Sequence, residues 1–287
     1  MEANRLPLRK WKPRWNVAAV MGKRTGPFRR PTCLAILALA ALTLPLPMAC
    51  TVGSSENKNA ILALLYTGRQ FHTSFESVSD FNGSYIVPQN NQSAETHELS
   101  ALNVYSGEFS HRAWVYNTAA DSHRAYPTVQ FHKLDGGSYQ GTVYIELMVY
   151  LKDVVIPTGS GHWFSFMTVA RRTQDAFWDA VTFNLGYEGI AHLMHVPSVG
   201  LKEWTFQRTD LYFPQNQWVK LGLCINMDPT NGFARAYQDG VLVSQAPVYG
   251  FDGTVPQVHF GLYSHKDMTS GEVFNDDLTI KEVLFCP

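Results

Sequence analysis

The sequence has few cysteines, few charged residues and no long helical repeat. Four of its 287 residues are Cys and 16 % are charged, whereas about a quarter is usual in soluble domains. With 45 % hydrophobic and 13 % aromatic residues, this composition excludes a disordered chain and a solvated coiled coil. No CxxC or Cys/His finger spacing occurs, so the cysteines predict no structural zinc. The length suits one large β domain or two small ones.

Basic residues are concentrated at the N-terminus. Residues 1–49 hold nine of the 23 Lys and Arg residues and one of the 24 acids, which leaves 14 basic and 23 acidic residues after residue 49. The remainder therefore has a formal net charge of −9. A surface of that sign repels polyanions at long range, so we expect no nucleic-acid partner.

The N-terminal region has the order of a secretory signal: basic residues, the apolar run 33–42, and then small residues. The run is too short for a comfortable transmembrane helix, and Pro45 and Pro47 close it. We expect residues 1–49 to be a signal peptide. Met21 offers a second start that would leave a signal of ordinary length.

The segment Pro47-Met48-Ala49-Cys50 resembles a bacterial lipobox, in which a small residue precedes a Cys that becomes lipidated. The resemblance implies lipidation of Cys50, a tether over residues 50–70 and a membrane partner reached through the lipid anchor. The protein would then be an exported lipoprotein of the cell envelope. The alternative is ordinary cleavage after Ala49, which would give a secreted protein with a free Cys50.

Short β-rich runs alternate with turns over residues 71–287. Their spacing of about 8–14 residues, without helical periodicity, predicts a single all-β domain with an antiparallel β-sandwich or jelly-roll fold. The predicted strands are 114–116, 126–133, 142–151, 163–170, 180–185, 190–196, 218–227, 233–238, 241–245, 258–264 and 278–285. Asp239-Gly240 predicts a tight hairpin turn. Cys224 and Cys286 fall in predicted strands and either form one disulfide or remain free thiols.

Alternation places hydrogen-bonding side chains on one face of two predicted strands. In the later strand the apolar set is Val258, Phe260 and Leu262, and the opposite set is Gln257, His259, Tyr263 and His265. In the earlier strand Val129 and Phe131 oppose Tyr126, Thr128, Gln130 and His132. Because rings stack on pyranose faces and amides bind hydroxyls, such faces are typical of a sugar-binding groove.

Three segments resemble the concanavalin-type jelly roll shared by laminin-G-like domains, carbohydrate-binding modules and the alginate and glucuronan lyases. They are the hairpin 218–240, the strand 259–265 and the segment 273–280. The resemblance covers residues 71–287 and implies a concanavalin-like fold. It also implies that Tyr263 is the catalytic tyrosine. His259 and His265 take the places of a lysine and a glutamine on the same strand, and Arg124 lies on an arginine-bearing strand.

The first function that these residues suggest is a lyase that cleaves uronic-acid polysaccharides by β-elimination. The reaction needs a donor for the uronate carboxylate, a base for the C5 proton and an acid for the leaving oxygen. Arg124 or Gln130 would bind the carboxylate, His259 or His132 would be the base, and Tyr263 would be the acid or serve in both roles. Imidazole suits the base because its ordinary pKa is about 6.5.

The second function is a non-catalytic carbohydrate-binding module at the cell surface, which would hold a polysaccharide in the same groove. The candidate platforms are Trp114, Trp163, Trp178 and Trp204. Arg171 and His265 are further candidates for substrate contacts. A retaining glycosidase would need two carboxylates about 5–5.5 Å apart, and the strand signature Glu-x-Asp-x-x-Glu of such enzymes of this sandwich class is absent.

A structural calcium ion (Ca²⁺) is a further expectation. Sandwiches of this class often use such an ion to join the first and last strands, and hard cations prefer several oxygen ligands. Glu76 opens the fold, and Asp276 and Asp277 adjoin the last predicted strand, so these three carboxylates are the predicted ligands. His192 and His195 should not share a metal, because residues three apart in a strand face opposite sides.

Overall fold

Two antiparallel sheets stack on each other in the computed structural model of the protein. The structure describes residues 68–80, 86–89, 94–159, 161–171, 179–197, 203–205, 207–249 and 251–287. The strands are β1 (Gln70–Thr73), β2 (Ile86–Gln89), β3 (Glu95–Ser100), β4 (Ser110–Val115), β5 (His123–Gln130), β6 (Tyr139–Gln140), β7 (Thr142–Lys152), β8 (Trp163–Ala170), β9 (Ala180–Gly186), β10 (Ala191–Val196), β11 (Glu203–Thr205), β12 (Trp218–Asn226), β13 (Phe233–Gln238), β14 (Val241–Pro247), β15 (Thr254–Val255), β16 (Gln257–Ser264) and β17 (Gly271–Val283).

The larger sheet, here called the β7 sheet, has the strand order β14-β13-β12-β7-β17-β4-β3, and β1 also pairs with β17. The second, here called the β16 sheet, has the order β11-β10-β9-β8-β16-β5-β2. β15 and β6 form a small two-stranded sheet. The predicted all-β fold, an antiparallel sandwich, is therefore confirmed.

Helical structure is limited to short turns. Within the described ranges these are the 3₁₀ turns Val78–Asp80 and Phe131–Lys133. None of the helices in this part of the chain has the length and apolar character needed to cross a membrane. The predicted signal peptide, Cys50 and residues 51–67 of the predicted tether lie outside the described residues.

Apolar side chains fill the space between the two sheets in the alternation that the sequence predicts. Val219, Leu221 and Leu223 of β12 are fully buried, as are Phe260 and Leu262 of β16 to within 1 %. These residues belong to one hydrophobic cluster that draws on both sheets. Each such side chain contributes about 1.5–3 kcal/mol when it leaves water, so this cluster is the main source of stability.

Two local predictions about turns and cysteines are decided by the structure. Asp239 and Gly240 connect β13 to β14 with φ values of 49° and 79°, as a primed hairpin turn requires. Cys224 of β12 and Cys286 near the C-terminus form a disulfide, with their Cα atoms 5.7 Å apart. The disulfide therefore fastens the end of the chain to the β7 sheet.

Several predicted strands differ from the observed ones at their ends, and two of these differences concern predicted site residues. β5 ends at Gln130, and residues Phe131–Lys133 form a 3₁₀ turn, so His132 does not continue the alternation of the strand. β17 begins seven residues before the predicted strand and contains a bulge, because its register shifts between Asp276 and Thr279 and Asp277 has a φ of 47°. Asp276 and Asp277, two of the predicted calcium ligands, lie at this bulge.

Candidate functional site

A cleft of about 420 Å³ lies on the face of the β16 sheet that points away from the core. Its lining residues are Arg124, Tyr126, Trp163, Thr182, Met194, Val196 and Tyr263. They come from β5, β8, β9, β10 and β16, which are consecutive in the sheet. Strand register brings them together, since Tyr263 pairs with Arg124 and Met194 pairs with Thr182.

A bulge in β8 shapes this face of the sheet. The register of β8 shifts against both of its neighbours near residues 165–167. β8 carries an extra residue relative to β9, and β16 carries an extra residue relative to β8 between Phe260 and Tyr263. Ser165 and Thr168 then lie on the same face, with their hydroxyl oxygens 3.2 Å apart. Bulges bend a strand and increase its twist, and they are common next to binding sites.

Arg124 is the cation of the cleft lining. Its guanidinium donates to Asp121 Oδ2 at 3.2 and 3.1 Å, and the Asp121 side chain is 68 % exposed. Burial raises the pKa of the Tyr263 phenol, and the charge of Arg124 opposes that shift without cancelling it. Burial and Tyr263 likewise raise the pKa of Tyr126. Both phenols therefore keep their protons at neutral pH.

A buried acid–histidine pair holds the backbone at Arg124. Glu95 Oε2 lies 2.8 Å from His123 Nδ1, and His123 Nε2 lies 2.9 Å from the carbonyl oxygen of Met268. The Arg124 backbone N–H donates to the other Glu95 oxygen at 3.3 Å. Glu95 and His123 are fully buried. Because Glu95 belongs to β3 and His123 to β5, the pair connects the two sheets directly beneath the site.

Aromatic rings form one wall and the floor of the cleft. The ring centroids of Trp163 and Tyr263 are 4.6 Å apart in an edge-on arrangement, and those of Tyr126 and Tyr263 are 5.6 Å apart. The His259 ring stacks on Tyr126 at 4.8 Å. His259 is 5 % exposed, and burial lowers its pKa to about 3. The predicted base His259 is therefore a neutral ring packed against Tyr126 and not a lining residue.

The structure brings three of the predicted site residues, Arg124, Trp163 and Tyr263, into the cleft and leaves others outside it. Gln130 pairs with Gln257 at the end of β5 and is not among the lining residues. His132 lies in the 3₁₀ turn, where its Nδ1 is 3.3 Å from the carbonyl oxygen of Pro256. Its assignment as a base is wrong for this cleft, because the strand ends before it.

Two predicted substrate contacts have other partners. The Arg171 guanidinium is 3.6 Å from Asp179 Oδ2, and the backbone carbonyl oxygen of Arg171 accepts a hydrogen bond from Gln257 Nε2. His265 follows β16 and packs on the ring of His162, with 4.2 Å between the ring centroids. Neither Arg171 nor His265 lines the cleft.

Among the other predicted aromatic platforms, Trp114 lies on the β7 sheet. The Arg112 guanidinium stands 4.2 Å from the centroid of its ring. Trp178 and the side chain of Trp204 lie outside the described residues. The sequence interpretation placed Tyr126 on the hydrogen-bonding face without giving it a role in the site, and it missed the smaller lining residues Thr182, Met194 and Val196. In β9 the alternation of Thr182 and Asn184 with apolar residues could have pointed to Thr182, whereas Met194 and Val196 of β10 are themselves apolar and gave no such signal.

The predicted calcium ligands lie around residues 105–108. Tyr105 and Ser106 donate their backbone N–H to Asp276 Oδ2 at 2.9 and 3.1 Å. Asp277 Oδ1 accepts from the Ser106 hydroxyl at 2.8 Å. Burial raises the pKa of Asp276 to about 6 despite these donors.

Glu76 approaches residues 105–108 from the segment that follows β1. Glu76 Oε2 accepts from the backbone N–H of Glu108 at 3.0 Å. β1 pairs with β17, so the first and last strands of the fold are adjacent as expected. Among the described residues, one group of three possible metal-ligating side chains has its ligand atoms within 4.8 Å of one another. That group does not include Glu76, Asp276 or Asp277. Calcium binding by these carboxylates stays a prediction.

His192 and His195 face opposite sides of β10, as expected. His192 pairs with Asn184 and His195 with Val181 across β9. The His195 ring packs on Tyr249 and Phe251. Burial lowers the pKa of His192 to about 4.

The likenesses to known proteins are structural. No protein-family model matches the sequence, and no curated protein matches it. The fold is similar to that of an endo-β-1,4-glucuronan lyase from the fungus Trichoderma reesei, with a TM-score of 0.55 and 14 % identity over 74 % of this chain and 95 % of that one. It is also similar to a cellulose-induced protein, Cip1, with a TM-score of 0.53 and 13 % identity over 73 % and 96 % of the two chains. These likenesses show the fold: the chain is a concanavalin-like jelly roll of the kind that a glucuronan lyase also has.

Proposed function

We propose that the cleft on the β16 sheet binds an acidic polysaccharide built from uronic acids. The observation that carries the proposal is the position of Arg124, a cation flanked by the phenols of Tyr126 and Tyr263 in a lining that is otherwise neutral. A guanidinium forms paired hydrogen bonds with a carboxylate. The lining thus offers a counter-charge for a uronate beside neutral groups that suit the rest of a sugar.

The other lining residues fit a pyranose ring. Trp163 offers an aromatic ring at the wall, and protonated Tyr126 and Tyr263 offer hydroxyls that donate to or accept from sugar hydroxyls. Asp121 is well exposed, so its contact with Arg124 contributes little and can be exchanged for a carboxylate of the ligand. A volume of about 420 Å³ falls within the range of about 300–1,000 Å³ that is usual for ligand sites.

Binding of defined oligosaccharides tests this proposal. Calorimetric titration with glucuronan, alginate and pectate oligomers should give saturable binding to the wild type, and neutral cello-oligosaccharides should bind more weakly. Arg124→Met should lower affinity at least tenfold, because one charged partner is lost. The matched control is Arg112→Met, which removes an arginine from the β7 sheet and should leave affinity unchanged. Equal affinities of Arg124→Met and wild type would overturn the proposal.

A second candidate function is cleavage of the bound polysaccharide by β-elimination. It is favoured by the juxtaposition of Tyr263 and Arg124, and the similar fold of a glucuronan lyase supports it. In this reaction a base removes the C5 proton, the C4–O bond breaks, a C4=C5 double bond forms and an acid protonates the leaving oxygen. Protonated Tyr263 suits the acid role. Binding is the better supported function, because the described residues of the lining include no histidine or carboxylate that would act as the base.

Ultraviolet absorbance separates the two candidates. A lyase would generate the absorbance of an unsaturated uronate during incubation with these polymers, and Tyr263→Phe would abolish the increase while retaining binding. Saturable binding without new absorbance would identify a binding module. Absorbance that persists undiminished in Tyr263→Phe would exclude the assigned acid.

We also propose export and lipid anchoring through Cys50, on the strength of the apolar run 33–42 and the small residue that precedes Cys50. Expressed in a bacterial host, the full chain should fractionate with membranes and be extracted by detergent. Cys50→Ser should shift it to the soluble fraction. Wild type found only in the soluble fraction would contradict the anchor and favour cleavage after Ala49.

A further inference from the structure

We propose that His162, His265 and Asp267 form a binding site for a divalent transition-metal ion, with Zn²⁺ as the best fit. Each of the three side chains offers one ligand atom, and these atoms lie within 4.8 Å of one another. Two imidazoles and a carboxylate are a donor set that suits Zn²⁺. The site contains no cysteine, which is why the cysteine spacing did not reveal it.

The fold brings the three residues together at one end of the β16 sheet. His162 precedes β8, His265 follows β16, and Asp267 lies in the turn after β16. The backbone N–H of His265 donates to the carbonyl oxygen of Trp163 at 2.9 Å, which fixes the two histidine-bearing segments side by side. Trp163 and Tyr263 line the cleft, so the cluster adjoins the end of its aromatic wall.

The hydrogen bond of His162 determines which nitrogen is available as a ligand. Its Nδ1 is 2.8 Å from the carbonyl oxygen of Pro157. A carbonyl oxygen only accepts, so Nδ1 carries the proton and Nε2 of the neutral ring has a lone pair. Metal-binding histidines commonly hold their other nitrogen in this way. His162 Nε2 lies 3.4 Å from Asp267 Oδ2.

His265 places its acceptor nitrogen beside the same oxygen. The backbone N–H of Asp267 donates to His265 Nδ1 at 3.3 Å, so Nδ1 is the acceptor nitrogen of the neutral ring. It lies 3.5 Å from Asp267 Oδ2. Lys266 Nζ contacts the other carboxylate oxygen, Oδ1, at 3.1 Å. Asp267 Oδ2 therefore lies beside the acceptor nitrogens of both rings. A cation between the three atoms would replace the long hydrogen bond that the backbone N–H of Asp267 makes to His265 Nδ1.

The spacing agrees with a tetrahedral ion. Ligands about 2.0–2.1 Å from tetrahedral Zn²⁺ lie about 3.3–3.4 Å from one another. The two nitrogen–oxygen distances of 3.4 and 3.5 Å match that spacing. Gly159 gives room for the His162 ring, because a Cβ built on Gly159 would be 3.1 Å from it. Three protein ligands leave a fourth position open to water or to a group of a bound molecule.

Metal binding is tested with the metal alone, in the absence of any saccharide, so that failure of the proposed function leaves the result unaffected. Equilibrium dialysis of wild type against Zn²⁺ should give one ion per chain. Co²⁺ should give the visible spectrum of a tetrahedral complex. Both His162→Gln and Asp267→Asn should weaken Zn²⁺ binding at least tenfold, whereas His72→Gln, at an exposed histidine of β1, should not.

Two results would overturn the site. One is wild type that binds no Zn²⁺. The other is a loss of Zn²⁺ binding that is as large in His72→Gln as in His162→Gln. The alternative to a metal ion is a proton on one of the two histidine rings. Imidazole nitrogen resonances recorded near neutral pH distinguish a protonated ring from a neutral one. Protonated rings that do not shift on addition of Zn²⁺ would exclude the metal, whereas neutral rings that shift on addition would support it. This measurement on wild type stands even where a variant fails to fold.

Discussion

The outward faces of the two sheets follow the same alternation but carry different chemistry. On the β7 sheet Glu272 accepts from Arg112 Nε and from Lys152 Nζ, each at 2.8 Å, and Arg112 also contacts Glu98. On the β16 sheet the corresponding positions hold phenols, hydroxyls and apolar side chains, and Arg124 is the one cation among the described residues of the cleft lining. The outward face of the β7 sheet is a solvated surface of ion pairs. The outward face of the β16 sheet leaves hydrogen-bond donors and aromatic rings available to a ligand.

The difference shows what alternation does and does not specify. Period-two patterning decides which side chains leave the core, and it works equally well for both sheets. The composition of the outward set then decides whether the face is solvated or forms a site. On the β7 sheet the opposite charges within the ion pairs neutralise one another. Arg124 instead pairs with the well-exposed Asp121, which a carboxylate of a ligand can replace.

The connection between the sheets gives the largest expected effect. Glu95→Gln should reduce the free energy of unfolding by about 3–5 kcal/mol, because it leaves His123 buried without its charged partner. Glu98→Gln on the same strand is the matched control. Since Glu98 is 45 % exposed, it should cost about 0–1 kcal/mol. Urea unfolding measures both, and equal small losses would show that the pair does not join the two sheets energetically.

The disulfide tests the comparison between the two sheets, because it joins the C-terminal segment to the β7 sheet and lies away from the cleft. Cys286→Ser should lower the free energy of unfolding by about 2–4 kcal/mol, since the link closes a long loop in the unfolded chain. Affinity for an acidic oligosaccharide should be unchanged, because the cleft lies on the other sheet. Labelling of Cys224 or Cys286 by a thiol reagent in the native wild type, located by peptide mass spectrometry so that Cys33 and Cys50 are counted apart, would contradict the pairing.

Acid should weaken the β16 sheet through His259. Because its folded pKa is lowered to about 3 from an ordinary 6.5, its contribution is fully present above pH 6.5 and is lost as pH falls towards 3. At pH 5 the loss is about 2 kcal/mol relative to neutral pH. Burial lowers the pKa of His97 to about 4 as well, so the wild type loses more than this.

The variant His259→Phe isolates that contribution. The phenyl ring can stack on Tyr126 but does not titrate, so the stability of the variant should depend less on pH between 7 and 5 than that of wild type. His72→Phe, on an exposed site of β1, is the control and should keep the wild-type dependence. Parallel pH profiles for His259→Phe and wild type would show that His259 is not a buried neutral group.

Much of the fold could be predicted from local patterns. β8 and β13 have the predicted bounds residue for residue, and the apolar sets of β12 and β16 are buried as expected. β3 was missed because its sequence is polar: Glu95 begins it and is buried by its contact with His123, a residue far away in the chain. No pattern within β3 signals a partner on another strand.

Only part of the site was predicted, because a local pattern does not show which distant residues meet. Tyr263 was found because an alternating strand and a family resemblance both pointed to it. Arg124 was found through the resemblance, and Trp163 because large aromatic residues are natural sugar platforms. His132 was misplaced because the end of β5 depends on how residues 131–133 turn, and Gln130 proved to lie beyond the cleft. The metal-ligand cluster was missed, since His162 and His265 are separated by more than a hundred residues.

By itself, the sequence determined the class of the fold, the two faces of β16 and of most of β5, and the tight turn at Asp239-Gly240, because these depend on side-chain periodicity and on local backbone preference. The tertiary structure decided which residues meet. It placed Arg124 opposite Tyr263, buried His259 behind Tyr126, joined Cys224 to Cys286 and set Asp267 against two histidines. Such contacts depend on strand order and register, which arise from the packing of the whole chain.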